Sequence, residues 1–421
     1  MKFAKLSIAA LVAVGFTSSA VASDITINPF GTAKLFYETQ TSDAAAATDL
    51  FDQKNAAGQA RVSLGATGDL NNCLGYGVEY MAVDTLGLEN NLVSNTAMGF
   101  GRESAARYPN QPAELVPALT ETQHWASQAY ITYSPCDTFL SNTTFKIGRQ
   151  YLDTPLAFTE NWKIAPNSFD AAVVVNKDIV NTTIIGAYIG KGNGTVGRVT
   201  NGDDFQAYQA EGAYAIGAIT SLLDGAIPLS VWGYDVVNVA NAVWADAGYK
   251  ANLSGVKLNL AGQYAFMTPD EETFANGEDT SAFGVKVGTS TKVAGLGLSL
   301  MAAYSSVDKD GTLPVANTAT GFKKTKLYTA GIYTDGLYVA QPGSDAFKVK
   351  ASTKLAGIGS LTAQYVNNEN SKNAAKDVSE IDVILGTSLP GGIGAKLMYI
   401  NRDHDSGVTN EHVRVVLSSK F

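Results

Sequence analysis

The sequence predicts an all-β fold: a transmembrane antiparallel β-barrel of about 18 strands with one long loop folded inward. Three observations predict it. Segments of roughly ten residues alternate apolar and polar side chains along most of the chain, and that is the length a tilted strand needs to cross a bilayer. Short turns alternate with longer polar loops, as in a barrel whose tight turns share one rim. The chain also stops in mid-strand, on "EHVRVVLSSKF", where a domain in water ordinarily frays.

The alternation is explicit in "AKLFY" (33–37), "ARVSLGA" (60–66), "VKLNLAGQYAF" (256–266), "LGLSLMAAY" (296–304) and "IGAKLMY" (393–399). In each, one face is apolar and the other carries Lys, Arg, Asn, Gln, Ser or Gly. Passes are expected near 30–39, 58–67, 73–83, 124–133, 140–148, 169–176, 181–190, 205–216, 227–236, 242–251, 256–266, 281–290, 296–306, 346–354, 360–367, 378–388, 393–402 and 411–421. An even number leaves both termini on the same side of the membrane. "LYTAGIYTDG" (327–336) also alternates, but counting it would break that parity, so it is assigned to a long loop spanning about 308–345.

A sandwich of two sheets would account for the alternation but not for loops sorted by length. Tyr37, Tyr76, Tyr80, Trp125, Tyr133, Tyr249, Tyr264, Tyr304, Tyr365 and Tyr399 are expected at strand ends on the apolar face. There an amphipathic ring sits between headgroups and acyl chains. The last strand places Val413, Val415, Leu417, Ser419 and Phe421 on one face, and it must close against the first because lipid tolerates no open sheet edge.

The first residues, "MKFAKLSIAALVAVGFTSSAVAS", have two lysines, an apolar run and a small-residue site after Ala22. This is the pattern of a secretory signal peptide over 1–22, with the barrel occupying 23–421. Its apolar run is too short to span a bilayer. Removing Lys2 and Lys5 leaves 28 basic against 39 acidic residues, a net charge of −11, so nucleic acid is not an expected partner. Cys73 and Cys136 fall at the feet of the third and fourth strands; in an oxidising compartment they form one expected disulfide. His124, His404 and His412 are the only histidines and none sits in a nucleophile–base pattern, so no enzyme is expected. "DKDG" (308–311) and "TNGDD" (200–204) suggest loop-bound calcium at most, since neither has a full ligand spacing, and no other metal or cofactor is expected.

After the fifth strand about twenty residues run without a strand pattern, mixing Arg149, Asp153, Glu160 and Lys163 with Phe158, Trp162 and two prolines. A loop of this length and composition is ordered and functional, and folded inward it would narrow a wide aqueous lumen. The stretches "GRQYLDTP", "FTENW" and "PNSFDAAVVVN" in this region are the most specific part of a resemblance that runs from about Ser23 to Phe421. The chain resembles the OprD-like porins, and in particular the major outer-membrane porins of campylobacter-type bacteria. The resemblance implies an eighteen-stranded homotrimer in the Gram-negative outer membrane, among lipid and lipopolysaccharide, with its third external loop forming the constriction. It further implies a wall of basic side chains opposing acidic groups and carbonyls. The terminal Phe421 resembles the signal through which the barrel-assembly machinery recognises such chains, with Ser419 standing where a bulky residue is usual.

Inward positions read from the alternation include Lys34, Arg61, Lys257, Lys286, Lys348, Lys350, Lys396 and Arg414, together with Glu79, Glu211 and Asp246. Glu380 and Asp382 interrupt the basic wall. The expected function is a water-filled channel for passive diffusion of ions and small hydrophilic solutes, with a mild cation preference from the acidic excess. The rival is a surface adhesin or structural barrel whose lumen is occluded by loops.

Overall fold

A computed structural model describes residues 25–44, 49–88, 92–93, 123–136, 140–194, 202–208, 211–293 and 295–421. The expected signal peptide lies outside the described residues. Eighteen strands form one antiparallel sheet closed on itself. The first nine are β1 (Asn28–Ser42), β2 (Ala56–Asp69), β3 (Leu74–Asp84), β4 (Gln123–Tyr133), β5 (Thr143–Gln150), β6 (Phe169–Asn176), β7 (Thr182–Gly192), β8 (Ala213–Leu222) and β9 (Ile227–Val236). The rest are β10 (Ala240–Leu253), β11 (Val256–Pro269), β12 (Thr280–Val293), β13 (Leu296–Val307), β14 (Ser344–Leu355), β15 (Gly359–Asn370), β16 (Val378–Leu389), β17 (Ile393–His404) and β18 (Thr409–Lys420).

Closure satisfies the backbone that would otherwise be bare in lipid. β18 pairs with β1, Lys34 standing opposite Ser418 and Leu35 opposite Leu417. Beyond the last paired residues, Gly31 N–H donates to Phe421 O at 2.6 Å and Phe421 N–H donates to Gly31 O at 3.0 Å. A Cβ on Gly31 would lie 2.2 Å from the Phe421 ring, so the terminal aromatic covers a glycine on the outer face.

The outward face is apolar: Val62, Ile147, Ile216, Val285 and Leu397 are 47% to 64% exposed. Tyr80, Tyr133, Tyr249, Tyr264, Tyr304 and Tyr399 join them on that face. Trp125 does not. It is 3% exposed inside the barrel, packed with Phe36, Met81 and Ile164. The reason is a β-bulge where β3 meets β4, between Glu79 and Tyr80, which adds a residue to β4 and reverses its parity, so Trp125 and Tyr133 face opposite sides.

Two further expectations shift. The eighth pass runs over 213–222 rather than 205–216, because Gly212 turns the chain with a φ of +98°. Before that turn, among the described residues, only Gln206–Ala207 pair, with the end of β7. Glu211 therefore sits in an exposed turn and not on an inward strand position. Residues 327–336, as expected, form no strand and lie in the β13–β14 connection, 308–343.

That connection and the β5–β6 connection, 151–168, both fold into the barrel. Leu156 from one and Leu313, Val315 and Leu327 from the other pack with Trp232, Trp244 and Met267 of the wall. Each such side chain contributes about 1.5–3 kcal/mol by leaving water. One side of the barrel is thereby filled, and the open lumen is displaced toward β14–β18, β1 and β2.

Cys73 and Cys136 are disulfide-bonded with their Cα atoms 5.6 Å apart, tying the β2–β3 and β4–β5 turns across a sequence separation of 63 residues. A loop of that size implies about 4 kcal/mol of chain-entropy stabilisation. Replacing both by serine is expected to lower the temperature at which the folded barrel's fast gel mobility is lost, and an unchanged transition would show that barrel closure alone constrains this region.

Candidate functional site

The 151–168 segment is shaped by its own backbone before it touches anything else. Thr159 N–H donates to Leu152 O at 2.8 Å and Thr154 N–H to Ala157 O at 3.2 Å, which folds 152–159 into a tight reversal around Pro155. The tip then meets the second inward loop. Asn317 accepts from Phe158 N–H through Oδ1 at 3.1 Å, and its Nδ2 donates to Phe158 O and Glu160 Oε1, each at 3.0 Å. Thr318 donates from both N–H and hydroxyl to Leu156 O. Glu160 also accepts from Trp162 Nε1 at 2.9 Å and from the Thr320 hydroxyl.

The second loop is fixed to the wall by a carboxylate. Glu380 on β16 is fully buried and accepts three successive backbone N–H groups, Ile332 at 2.5 Å, Tyr333 at 3.0 Å and Thr334 at 2.6 Å. Charge-assisted bonds of this kind are roughly twice as strong as neutral ones. Beside it, Tyr333 donates its hydroxyl to Glu38 Oε1 at 2.5 Å and accepts from Arg414 Nη2 at 2.9 Å, while Arg414 pairs with Glu38 at 2.6 Å. Lys348 donates to Ala330 O at 2.5 Å. Within the loop Lys324 pairs with Asp335 at 2.8 Å, and burial still pushes the Asp335 carboxyl above its ordinary range.

What the loops leave open is a cavity of about 1900 Å³. Its border includes Lys34, Arg61, Lys324, Lys326, Lys354, Lys396, Arg414 and Lys420, eight cations, against the three acids Glu79, Glu160 and Asp335. Lys34 has Arg61, Arg414 and Lys396 as cationic neighbours, and its ammonium is held by carbonyls of the 151–168 loop, at Lys163 and Asn161. The acids are engaged: Tyr151 donates to Glu79 Oε2 at 2.8 Å and Gln128 at 3.0 Å. Burial, reinforced by the Glu79 charge, raises the Tyr151 phenol well above its usual range, so it remains a donor. The arrangement presents a basic wall to the lumen, with Lys34 bonded directly to carbonyls of the inward loop.

Of the residues singled out by sequence, Lys34, Arg61, Glu79, Lys396 and Arg414 border this cavity. Lys257 and Lys286 border a smaller hollow of about 670 Å³ at the foot of β10–β13. Lys286 also lies over the Tyr328 ring, and Asp246 accepts from the Tyr328 hydroxyl at 3.2 Å. Lys348 is covered by the second loop, and Lys350 follows it on the inward face of β14. On the 151–168 loop, Asp153 pairs with Lys326 at 2.5 Å, Glu160 joins the two loops, and Lys163 packs beside the Trp162 ring.

Arg149 departs from its expected place. It belongs to β5, two residues from the outward Ile147, opposite Ala129, and it pairs with Asp170 at 2.8 Å. Gly148, with φ +123°, and a bulge between Asp170 and Ala171 mark the irregular wall there. Asp308 and Asp310 of the "DKDG" stretch lie just beyond β13, and Asp308 accepts from Asp310 N–H at 3.0 Å. The first residues of "TNGDD" lie outside the described residues.

Sequence reasoning missed the second loop's inward course and with it Glu38, Tyr333, Lys324 and Lys326. A signal was present. Residues 311–322, "GTLPVANTATGF", carry no charge, which is unusual for twelve residues in a loop facing water and ordinary for a buried one.

A closed barrel with an apolar exterior, inward-folded loops and a charged aqueous lumen defines an outer-membrane porin-type protein. The chain belongs to the Campylobacter major outer membrane protein family, whose model matches residues 1–383. No curated protein matches it. Among solved structures it is similar in fold to OccK9 (OpdG) of Pseudomonas aeruginosa, with a TM-score of 0.73 at 14% identity over 94% of this chain and 98% of that one. OccD3 (OpdP) of the same organism gives 0.68 at 16% over 96% and 93%, and OpdK, solved with vanillate, 0.69 at 12% over 94% and 98%.

Glu380→Ala removes the acceptor for three loop N–H groups, a loss of about 3 kcal/mol or more. The expected outcome is a loosened second loop, read as larger and noisier single-channel current steps. Steps identical to wild type would show that the Tyr333 contacts suffice.

Proposed function

We propose that this protein is a passive diffusion channel of the outer membrane, admitting ions and small hydrophilic solutes through the off-centre lumen. The observation that carries this reading is the cavity of about 1900 Å³, bordered by charged side chains and continuous along β14–β18, β1 and β2. A basic wall facing carbonyl groups sets a transverse field that orients dipolar solutes. The sign of that wall favours solutes with a carboxylate or similar anionic group, in keeping with the vanillate bound to the structurally similar OpdK. The mild cation preference suggested by net charge then has to arise at external carboxylates, outside the basic stretch. The signal segment is cleaved after Ala22, the mature barrel spans 23–421, and three copies assemble among lipid and lipopolysaccharide.

Purified protein in a planar bilayer is expected to give stepwise conductance, and its absence would sink the channel reading. Replacing Lys34 and Lys396 together by glutamine is expected to move the zero-current potential in a salt gradient toward cation selectivity. A shift toward anions, or none, would show that these lysines do not face the conducting path.

A further inference from the structure

Charge inside the barrel is divided along its axis. Toward the rim with the long loops, Glu38 and Glu380 hold the second loop to the wall, Glu160 joins the two loops, and Asp335 pairs with Lys324 within the second loop. Toward the rim with the short turns, the inward face carries Lys250, Lys257, Lys292, Lys354, Lys396 and Lys420, all exposed. Among the described residues none of these six is in a salt bridge.

The surface between them is small and neutral. Across successive strands Lys257 stands opposite Ser290, Ser290 opposite Ser299, and Ser299 opposite Ser352. Lys354 is opposite Ser360, and Gly386 links Ser360 to Lys396. Lys420 is opposite Thr32. Short hydroxyls leave width in the mouth and supply donors beside the ammonium groups.

The nearby carboxylates are few and placed at one end. Asp224, in the β8–β9 turn, borders the same hollow as Lys250 and Lys257. Asp246 lies farther in and is bonded by Trp244, Gln263 and Tyr328. Asp69 and Asp178, in turns on the other side of the rim, are held by Thr26 and by Asn142. From β12 through β18 the described inward face near this rim has lysines and no carboxylate side chain, with the terminal carboxyl group of Phe421 following Lys420 at the end of the arc.

We propose that this arc is a binding site for polyanionic solutes of the oligophosphate type, which enter from the short-turn, periplasmic side and obstruct the channel more readily from that side than from the other. A single exposed ion pair is worth little. A solute with several linked charges engages several lysines at once, and the second contact benefits from the high effective concentration set by the first. The proposal rests on the channel reading, and the two fail separately: stepwise conductance without polyanion tests the channel, and sidedness of block tests the arc.

The test adds inorganic tripolyphosphate to one chamber of a bilayer at a time. Orientation is marked through Ser406→Cys in the β17–β18 turn, biotinylated and bound by streptavidin. Block from the periplasmic side is expected at concentrations about tenfold lower than from the other side, weakening as salt screens the lysines. Lys250, Lys292, Lys354 and Lys420 changed together to glutamine should raise the blocking concentration about tenfold, and the same four changed to arginine should retain block. Equal block from both sides, or block from the long-loop side alone, overturns the proposal. So does block unchanged in the glutamine variant or lost in the arginine variant. If the glutamine variant gives no channels, the sidedness of the wild type decides alone.

Discussion

Everything in this molecule depends on backbone hydrogen bonds having no competitor in hydrocarbon. A strand edge left open in lipid costs several kcal/mol per unsatisfied group, so the sheet must close, and closure is made where β18 meets β1 and the Gly31–Phe421 pair finishes the seam. Once closed, the period of two sends every second side chain into lipid and the others inward. Apolar and charged faces then need no further instruction.

A cylinder of eighteen strands is wider than its inward side chains can fill, and the chain resolves this with two loops. The loops carry their own apolar cargo against Trp232, Trp244 and Met267, which closes one side by hydrophobic packing. On the other side they are held by polar contacts, Glu380 gripping three successive N–H groups and Tyr333 bridging Glu38 and Arg414. The open path is therefore eccentric and bordered by cations, of which Lys324, Lys326 and Arg414 are paired with carboxylates while Lys34, Arg61, Lys354, Lys396 and Lys420 are in no salt bridge among the described residues.

The strands were legible because period-two alternation is read locally, and all eighteen passes are present, with one displaced. The displaced one, near 205–216, failed at Gly212, where a positive φ ends an alternation that continues on paper. Trp125 was misread because a bulge in the β3–β4 pairing reverses parity without leaving a mark in the sequence of β4. Arg149 fails for a related reason, beside Gly148. The wall lysines were legible individually. The cluster of Glu38, Arg414 and Tyr333 was not, since these three meet only when strands from opposite ends of the chain close around a loop from its middle.

The most direct test of a two-faced closed wall uses neighbours on one strand. Spin labels at Leu397 and Met398, which face lipid and the lumen respectively, are compared for collision with oxygen and with a water-soluble nickel complex in bilayers. The label at 397 is expected to meet oxygen and the label at 398 to meet nickel. Equal access of both labels to nickel would contradict a two-faced wall.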